Sequence, residues 1–152
     1  DEAWDQVMAG NLRGGFASGR EAARRMIDAG KGGVLINVVS TAGFGGVAPG
    51  VSAYVASKHG VRGLVRQLAI ELAPHDIRVL GVAPTFCETE GNTAALAELP
   101  ERVRQEISAT LTSKLGRLGV PDDIARVVLF AASDMAAFMT GSTLLADAGE
   151  VA

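Results

Sequence analysis

The chain has one tyrosine, Tyr54, and one of its three lysines, Lys58, follows four places later in the stretch YVASKHGV. Four residues is one helical turn, so on a helix the two side chains are neighbours on one face. A phenol with an ordinary pKa near ~10 is a poor base at neutral pH, but an ammonium one turn away favours the phenolate and makes the group a proton shuttle. A serine hydroxyl facing such a pair can hold a carbonyl or alcohol oxygen while a hydride moves at the adjacent carbon, and a cofactor must supply that hydride chemistry. Ser40 stands where that serine is needed, and Asn11 is placed to order water between Lys58 and solvent. Each residue also has a plain structural reading. Lys58 can snorkel beside a buried aromatic, Ser40 can form a strand-end turn, and Asn11 can kink or cap a helix.

The elements around these residues decide whether they meet. Residues 1 to about 29 place Trp4, Met8, Leu12, Phe16, Ala23 and Met26 at helical spacing, ending at Gly30, while Gly10, Gly14, Gly15 and Gly19 predict a kink or a close backbone approach. Val34 to Val39 (VLINVV) is an unalternating apolar run that predicts a strand covered on both faces. After the loop STAGFGGVAPG, residues 51 to 73 predict a helix with Tyr54 and Lys58 on the line of Val61, Val65, Leu68 and Leu72, pointing inward. Ile77 to Ala83 predicts a second strand, and a polar stretch to about residue 93 precedes a helix with Pro100 near its start and Val103, Ile107 and Leu111 on one side. Pro121, Asp122 and Asp123 open a further helix, and Thr143 to Ala146 predicts a third strand. Strand and helix alternate, which predicts an α/β fold with a parallel sheet. In such sheets ligands bind beyond the carboxyl ends of the strands, where Ser40, Tyr54 and the Pro84 to Thr89 segment fall.

At 152 residues, 48% hydrophobic, the chain suits one domain or part of one. A net charge of -3 with interspersed signs gives no field for nucleic acid or an anionic membrane. The lone Cys87 forms no internal disulfide, no zinc-ligand cluster is present, and no apolar run reaches the ~20 residues of a membrane helix, so a soluble protein of the cytoplasm is expected. Opening at Asp1 inside a helical pattern, the sequence reads as a chain joined midway. Two other chemistries fit poorly. Gly45 and Gly50 have phosphate-loop spacing and Ser52 supplies the hydroxyl, but Val51 stands where the lysine is needed, so a triphosphate would lack its counter-charge. Ser52 in GVSAY lacks one glycine of a hydrolase elbow, and no histidine lies beyond His75. His59 and His75 are read as surface residues and Cys87 as a pocket or core thiol.

Taken together, NVVSTAG, YVASK, IRVLGVAPTFCET and RLGVPDDIARVVLFAASDMAAFMTGSTLLADAG resemble the short-chain dehydrogenase/reductase family over essentially all 152 residues. The resemblance implies a Rossmann-like, doubly wound parallel sheet of which residues 1–152 form the carboxyl-terminal part of a single domain: about three strands with flanking helices, without the dinucleotide-binding amino-terminal half. It implies a catalytic set of Asn11, Ser40, Tyr54 and Lys58, with Tyr54 as acid/base, Ser40 positioning the substrate, Lys58 also binding the nicotinamide ribose, and Asn11 supporting the proton relay. Pro84 and Thr89 match the segment at the nicotinamide carboxamide. The implied cofactor is NAD or NADP, the implied substrate a small alcohol or carbonyl compound, and the implied assembly a homodimer or homotetramer through the helices around 1–29 and 51–73. Residues from about 90 to 118 match the variable lid, where Phe86, Leu96, Leu99 and Leu111 offer an apolar side. The chain departs from the family pattern at Val39, at Pro84-Thr85 and at Asp147-Ala148-Gly149, where the family favours serine, Pro-Gly and Asp-Gly-Gly. The competing expectation is an inactive fragment of the same fold serving only in assembly, since exposed strand edges invite pairing.

Overall fold

The structure is a computed structural model that describes residues 1–110 and 113–152, and of 106–110 the backbone only. It opens with a helix in three parts: α1 (Glu2–Val7), a π-helical stretch (Met8–Arg13) and α2 (Gly14–Ala29), which ends at Gly30 with a left-handed φ of 63°. Strand β1 (Gly33–Val38) leads through a short 3-10 turn (Thr41–Gly43) to α3 (Ser52–Leu72), and β2 (Ile77–Pro84) follows. Then come α4 (Glu90–Ala97), α5 (Glu101–Thr110), α6 (Pro121–Ala132) and β3 (Thr143–Ala146). The three strands form one parallel sheet in the order β1-β2-β3, with Gly33 opposite Ile77 and Gly81 opposite Thr143.

Both faces of the sheet are covered, which is why its strands read as continuous apolar runs. Successive side chains of a strand point to opposite faces. Ile77, Val79 and Ala83 therefore join Leu35, Val61, Val65 and Leu72 in one core, while Leu80 joins Ala131, Ala136 and Ile36 in another. The sheet is thus a layer between helices, the α/β arrangement expected, with each strand within one residue of its predicted bounds. No helix among the described residues is long and apolar enough to cross a membrane.

Three features differ from expectation. The glycines of the first helix do not mark a tight approach: added Cβ atoms at Gly10 and Gly15 would meet nothing within 4 Å, and at Gly14 and Gly19 only ordinary contacts at 3.4 and 3.9 Å. The close contact comes from the facing helix, where a Cβ at Gly60 would stand 2.9 Å from Leu12 Cδ2. Gly60 leaves room on α3 for the end of the Leu12 side chain. Second, the polar stretch to residue 93 already contains α4, because the Thr89 hydroxyl accepts from the Asn92 amide at 3.1 Å and caps a helix that begins at Glu90. Poor helix formers at Gly91 and Asn92 hid it. Third, the buried stripe of α3 is Ser57, Val61, Val65, Ala69 and Leu72, with Tyr54, Lys58 and Leu68 half-buried at its border rather than on its centre line. The side chain of Ile107 and all of Leu111 lie outside the described residues.

Helix α6 starts with an electrostatic clamp. Asp123 accepts from Arg117 Nη1 at 2.6 Å and Nη2 at 2.8 Å, and from the Val120 amide at 3.0 Å. The valine has no acceptor to return, so only half of a reciprocal cap forms. These hydrogen bonds, that from Arg117 foremost, hold the Asp123 carboxyl well below the usual carboxylate range. Because the folded pKa is depressed, the clamp is fully present above the ordinary carboxylate pKa near ~3.9 and is lost as pH falls below it. Asp123→Asn is expected to flatten the fall in stability between about pH 4 and pH 2 seen by urea denaturation; an unchanged profile would remove Asp123 from the acid response.

At the other end, Asp147 is buried and its two carboxylate oxygens accept from the Gly149 and Val151 amides at 3.1 and 3.0 Å. The turn this closes puts Ala148 at φ 49°, a left-handed conformation that an L residue with a Cβ resists. Ala148→Gly is therefore expected to raise the unfolding free energy by about 1 kcal/mol, read by denaturant titration. A destabilised glycine variant would show that the turn carries no such strain.

Candidate active site

Ser40 stands one residue beyond β1, after Val39, and its hydroxyl oxygen accepts from the Ala42 amide at 3.2 Å, starting the 3-10 turn. The strand-end turn role and a role toward ligands are compatible, because the accepted bond leaves the hydroxyl hydrogen free to donate. The turn then runs hard against α3. A Cβ at Gly43 would lie 2.7 Å from Val39 Cγ1 and 3.0 Å from the Lys58 carbonyl oxygen, so hydrogen is the only substituent that fits. One helical turn beyond Lys58, Arg62 fastens the same loop, donating from Nη1 to the Gly43 carbonyl at 3.2 Å with its guanidinium 3.7 Å from the Phe44 ring centroid. Burial, and secondarily the charge of Arg66, push the Arg62 pKa down. Gly43 and Arg62 escaped the sequence reading. The one signal was an arginine four places after the lysine, on the same helical face.

Lys58 reaches back across this contact. Its Nζ donates to the Val38 carbonyl at 3.0 Å, the last residue of β1, and stands 5.6 Å from the Tyr54 ring centroid. The lysine is half-buried with a neutral partner, and burial lowers its pKa. The Tyr54 carbonyl accepts from the fully buried Ser57 hydroxyl at 2.7 Å, which ties down the first turn that carries the phenol.

Beyond the carboxyl ends of β1 and β2 opens a cleft of about 1210 Å³. Ser40, Tyr54, Pro84 and Thr89 all line it. Lys58 is not in its lining but lies against Tyr54 on α3 and the end of β1. Asn11 is placed apart, half-buried on the π-helical stretch that packs on α3, and does not line the cleft. Of the apolar residues expected beside the substrate, Phe86 is in the lining and Val103 joins it, whereas Leu96 and Leu99 are half-buried outside it. Cys87 is a buried thiol at the cleft whose pKa is raised by burial and by Asp123, which disfavours the nucleophilic thiolate. His59 and His75 are exposed, and among the described residues no group of acidic, histidine or cysteine side chains is placed to hold a metal.

The arrangement has relatives. A family model described as Enoyl-(Acyl carrier protein) reductase matches residues 1–150. A short-chain dehydrogenase/reductase of Armillaria gallica is 39% identical over 153 residues, and the 3-oxoacyl-(acyl-carrier-protein) reductase FabG of Thermotoga maritima is 40% identical over 151; each match covers 99% of this chain and 58% of the relative. The chain therefore spans little more than half the length of these curated relatives. Among solved structures, a 4-hydroxyisoleucine dehydrogenase mutant complexed with NADH and succinate superposes with a TM-score of 0.87 at 31% identity, covering 99% of this chain and 60% of the other. Acetoin dehydrogenase from Salmonella typhimurium gives 0.83 at 31% identity, covering 99% and 56%.

The contact at Gly43 yields a direct test. Gly43→Ala is expected to lower the unfolding free energy by about 1–3 kcal/mol in urea denaturation. Gly45→Ala, whose Cβ meets nothing within 4 Å, is expected to cost less than about 0.5 kcal/mol. Equal losses for the two variants would refute the close-approach account.

Proposed function

Because the chain belongs to the short-chain dehydrogenase/reductase family, we propose that the protein carrying it is an oxidoreductase that moves a hydride between a nicotinamide cofactor, NAD or NADP, and a small alcohol or carbonyl substrate, with Tyr54 exchanging the proton on the substrate oxygen. The observation that carries this reading is the meeting of Ser40 and Tyr54 in one cleft at the strand ends, with the Lys58 ammonium 5.6 Å from the phenol ring centroid. NADH is bound in the solved 4-hydroxyisoleucine dehydrogenase complex, whose fold this chain shares.

The donor groups of the chain suit such a cofactor. An ammonium has three donors, and the Val38 carbonyl takes one, which leaves two for the hydroxyls of a nicotinamide ribose. The Thr89 hydroxyl accepts from Asn92 and keeps its own hydrogen to donate to the carboxamide, beside the apolar ring of Pro84. When bound, the nicotinamide supplies or takes up the hydride. The chain does the rest. Ser40 donates to the substrate oxygen and fixes its position, and Tyr54 donates to the same oxygen, giving its proton in reduction and taking one in oxidation. The Lys58 charge opposes the negative charge left on the phenol oxygen when that proton departs. Asn11 in this reading orders a water that resupplies protons through Lys58. Exposed Trp4 and Phe16 on the first helix suit a homodimer or homotetramer built through the helices around 1–29 and 51–73, in the cytoplasm.

Tyr54→Phe in the intact protein is expected to cut kcat by about 10²–10⁴-fold while cofactor Kd and the urea midpoint stay near wild type. A phenylalanine variant with full turnover would end the assignment of Tyr54.

A further inference from the structure

The cleft carries a charge pattern that bears on which alcohol or carbonyl compound enters it, and this step rests on the oxidoreductase reading above. Among the described residues, Glu150 is the one lining side chain with a formal charge at neutral pH. The undescribed side chains, in the run EISATLT at 106–112, add no base. No lysine or arginine is among the described lining residues. Arg104 is paired with Glu101 and Arg117 with Asp123, while Lys58, bonded to the Val38 carbonyl, keeps its charge beside Tyr54 and outside the lining. The remaining walls are chiefly apolar, with Val47, Phe86, Val103, Ile124, Val128 and Leu129 prominent. At about 1210 Å³ the cleft exceeds the roughly 300–1,000 Å³ usual for a small-ligand site, which leaves room for an alkyl chain beside the cofactor's reactive end.

An anionic substrate would give up water to enter walls that contain no cation among the described residues, with the exposed Glu150 carboxylate adding a like charge at the lining. Desolvation of an unpaired charge and like-charge juxtaposition each oppose binding. An uncharged substrate with an apolar chain meets neither cost and gains the burial of its methylenes. We infer that the protein acts on uncharged, apolar-chain secondary alcohols or ketones and rejects carboxylates of the same shape, with Glu150 as a specificity-determining residue at the cleft.

Two ketones of ten carbons separate the cases, 2-decanone and 9-oxodecanoate, which differ by a terminal carboxylate. The intact protein with its nicotinamide cofactor is expected to reduce 2-decanone with a kcat/KM at least about tenfold higher. Glu150→Gln is expected to narrow that ratio, and Glu150→Lys to narrow it further or invert it, with cofactor KM little changed. An equal or higher kcat/KM for 9-oxodecanoate in the wild type would overturn the inference, and so would a ratio that both Glu150 variants leave unmoved. If neither ketone is reduced, the hydride-transfer reading is what suffers, and calorimetric binding of the same two compounds to the protein decides the cleft preference: tighter 2-decanone supports the inference, and equal or tighter 9-oxodecanoate overturns it.

Discussion

The geometry of the site depends on one backbone contact. Where the loop after β1 meets α3, Gly43 has no room for a side chain between Val39 and the Lys58 carbonyl. That approach fixes the distance between the loop that carries Ser40, just beyond β1, and the helix that carries Tyr54 and Lys58. Ser40 is on one element and Tyr54 and Lys58 on another, and hydrogen bonds alone would hold the two loosely. Close packing with no slack holds them better, because an interior at crystal-like density resists small displacements.

Around that contact the polar groups are spent in pairs. Arg62 satisfies the Gly43 carbonyl and covers the Phe44 ring; Lys58 satisfies the Val38 carbonyl at the end of β1. Both cations answer neutral backbone oxygens rather than carboxylates, so neither charge is cancelled. Burial disfavours both charged forms and lowers both pKa values. The lysine charge nonetheless stands beside the only tyrosine, at a cleft whose other walls are mostly apolar. A charge in such surroundings acts over its neighbours with less screening than it would in water.

Much of this was legible in the sequence, and the parts that were not share a cause. VLINVV, IRVLGVA and TLLA announce themselves as strands because burial on both faces leaves no alternation to confuse. Tyr54 and Lys58 announce themselves because a lysine beside a lone tyrosine at one-turn spacing is chemically odd. Gly43 did not stand out, since in STAGFGGVAPG it looks like Gly45, Gly46 and Gly50, and only the neighbouring helix makes it different. Gly60 reads as a helix defect until Leu12 is seen opposite it. The π-helical stretch shifts the hydrogen-bond register of the first helix without disturbing the broad apolar spacing, so periodicity misses it. Helix α4 was masked by Gly91 and Asn92, and the centre line of α3 fell one residue away, on Ala69 rather than Leu68. What the sequence conceals is contact between segments distant along the chain.

The parallel sheet sets one more condition. Its pairings join position 33 to 77 and position 81 to 143, separations of 44 and 62 residues. Loop-closure entropy grows only logarithmically, so the longer crossover costs about 0.3 kcal/mol more than the shorter, and doubling either would add about 0.6 kcal/mol. The sheet is therefore nearly indifferent to how much polypeptide runs between β2 and β3. The portion that roofs the cleft can grow, shrink or be rebuilt while the strands beneath keep their register, and one scaffold can serve successive ligand shapes at little thermodynamic expense.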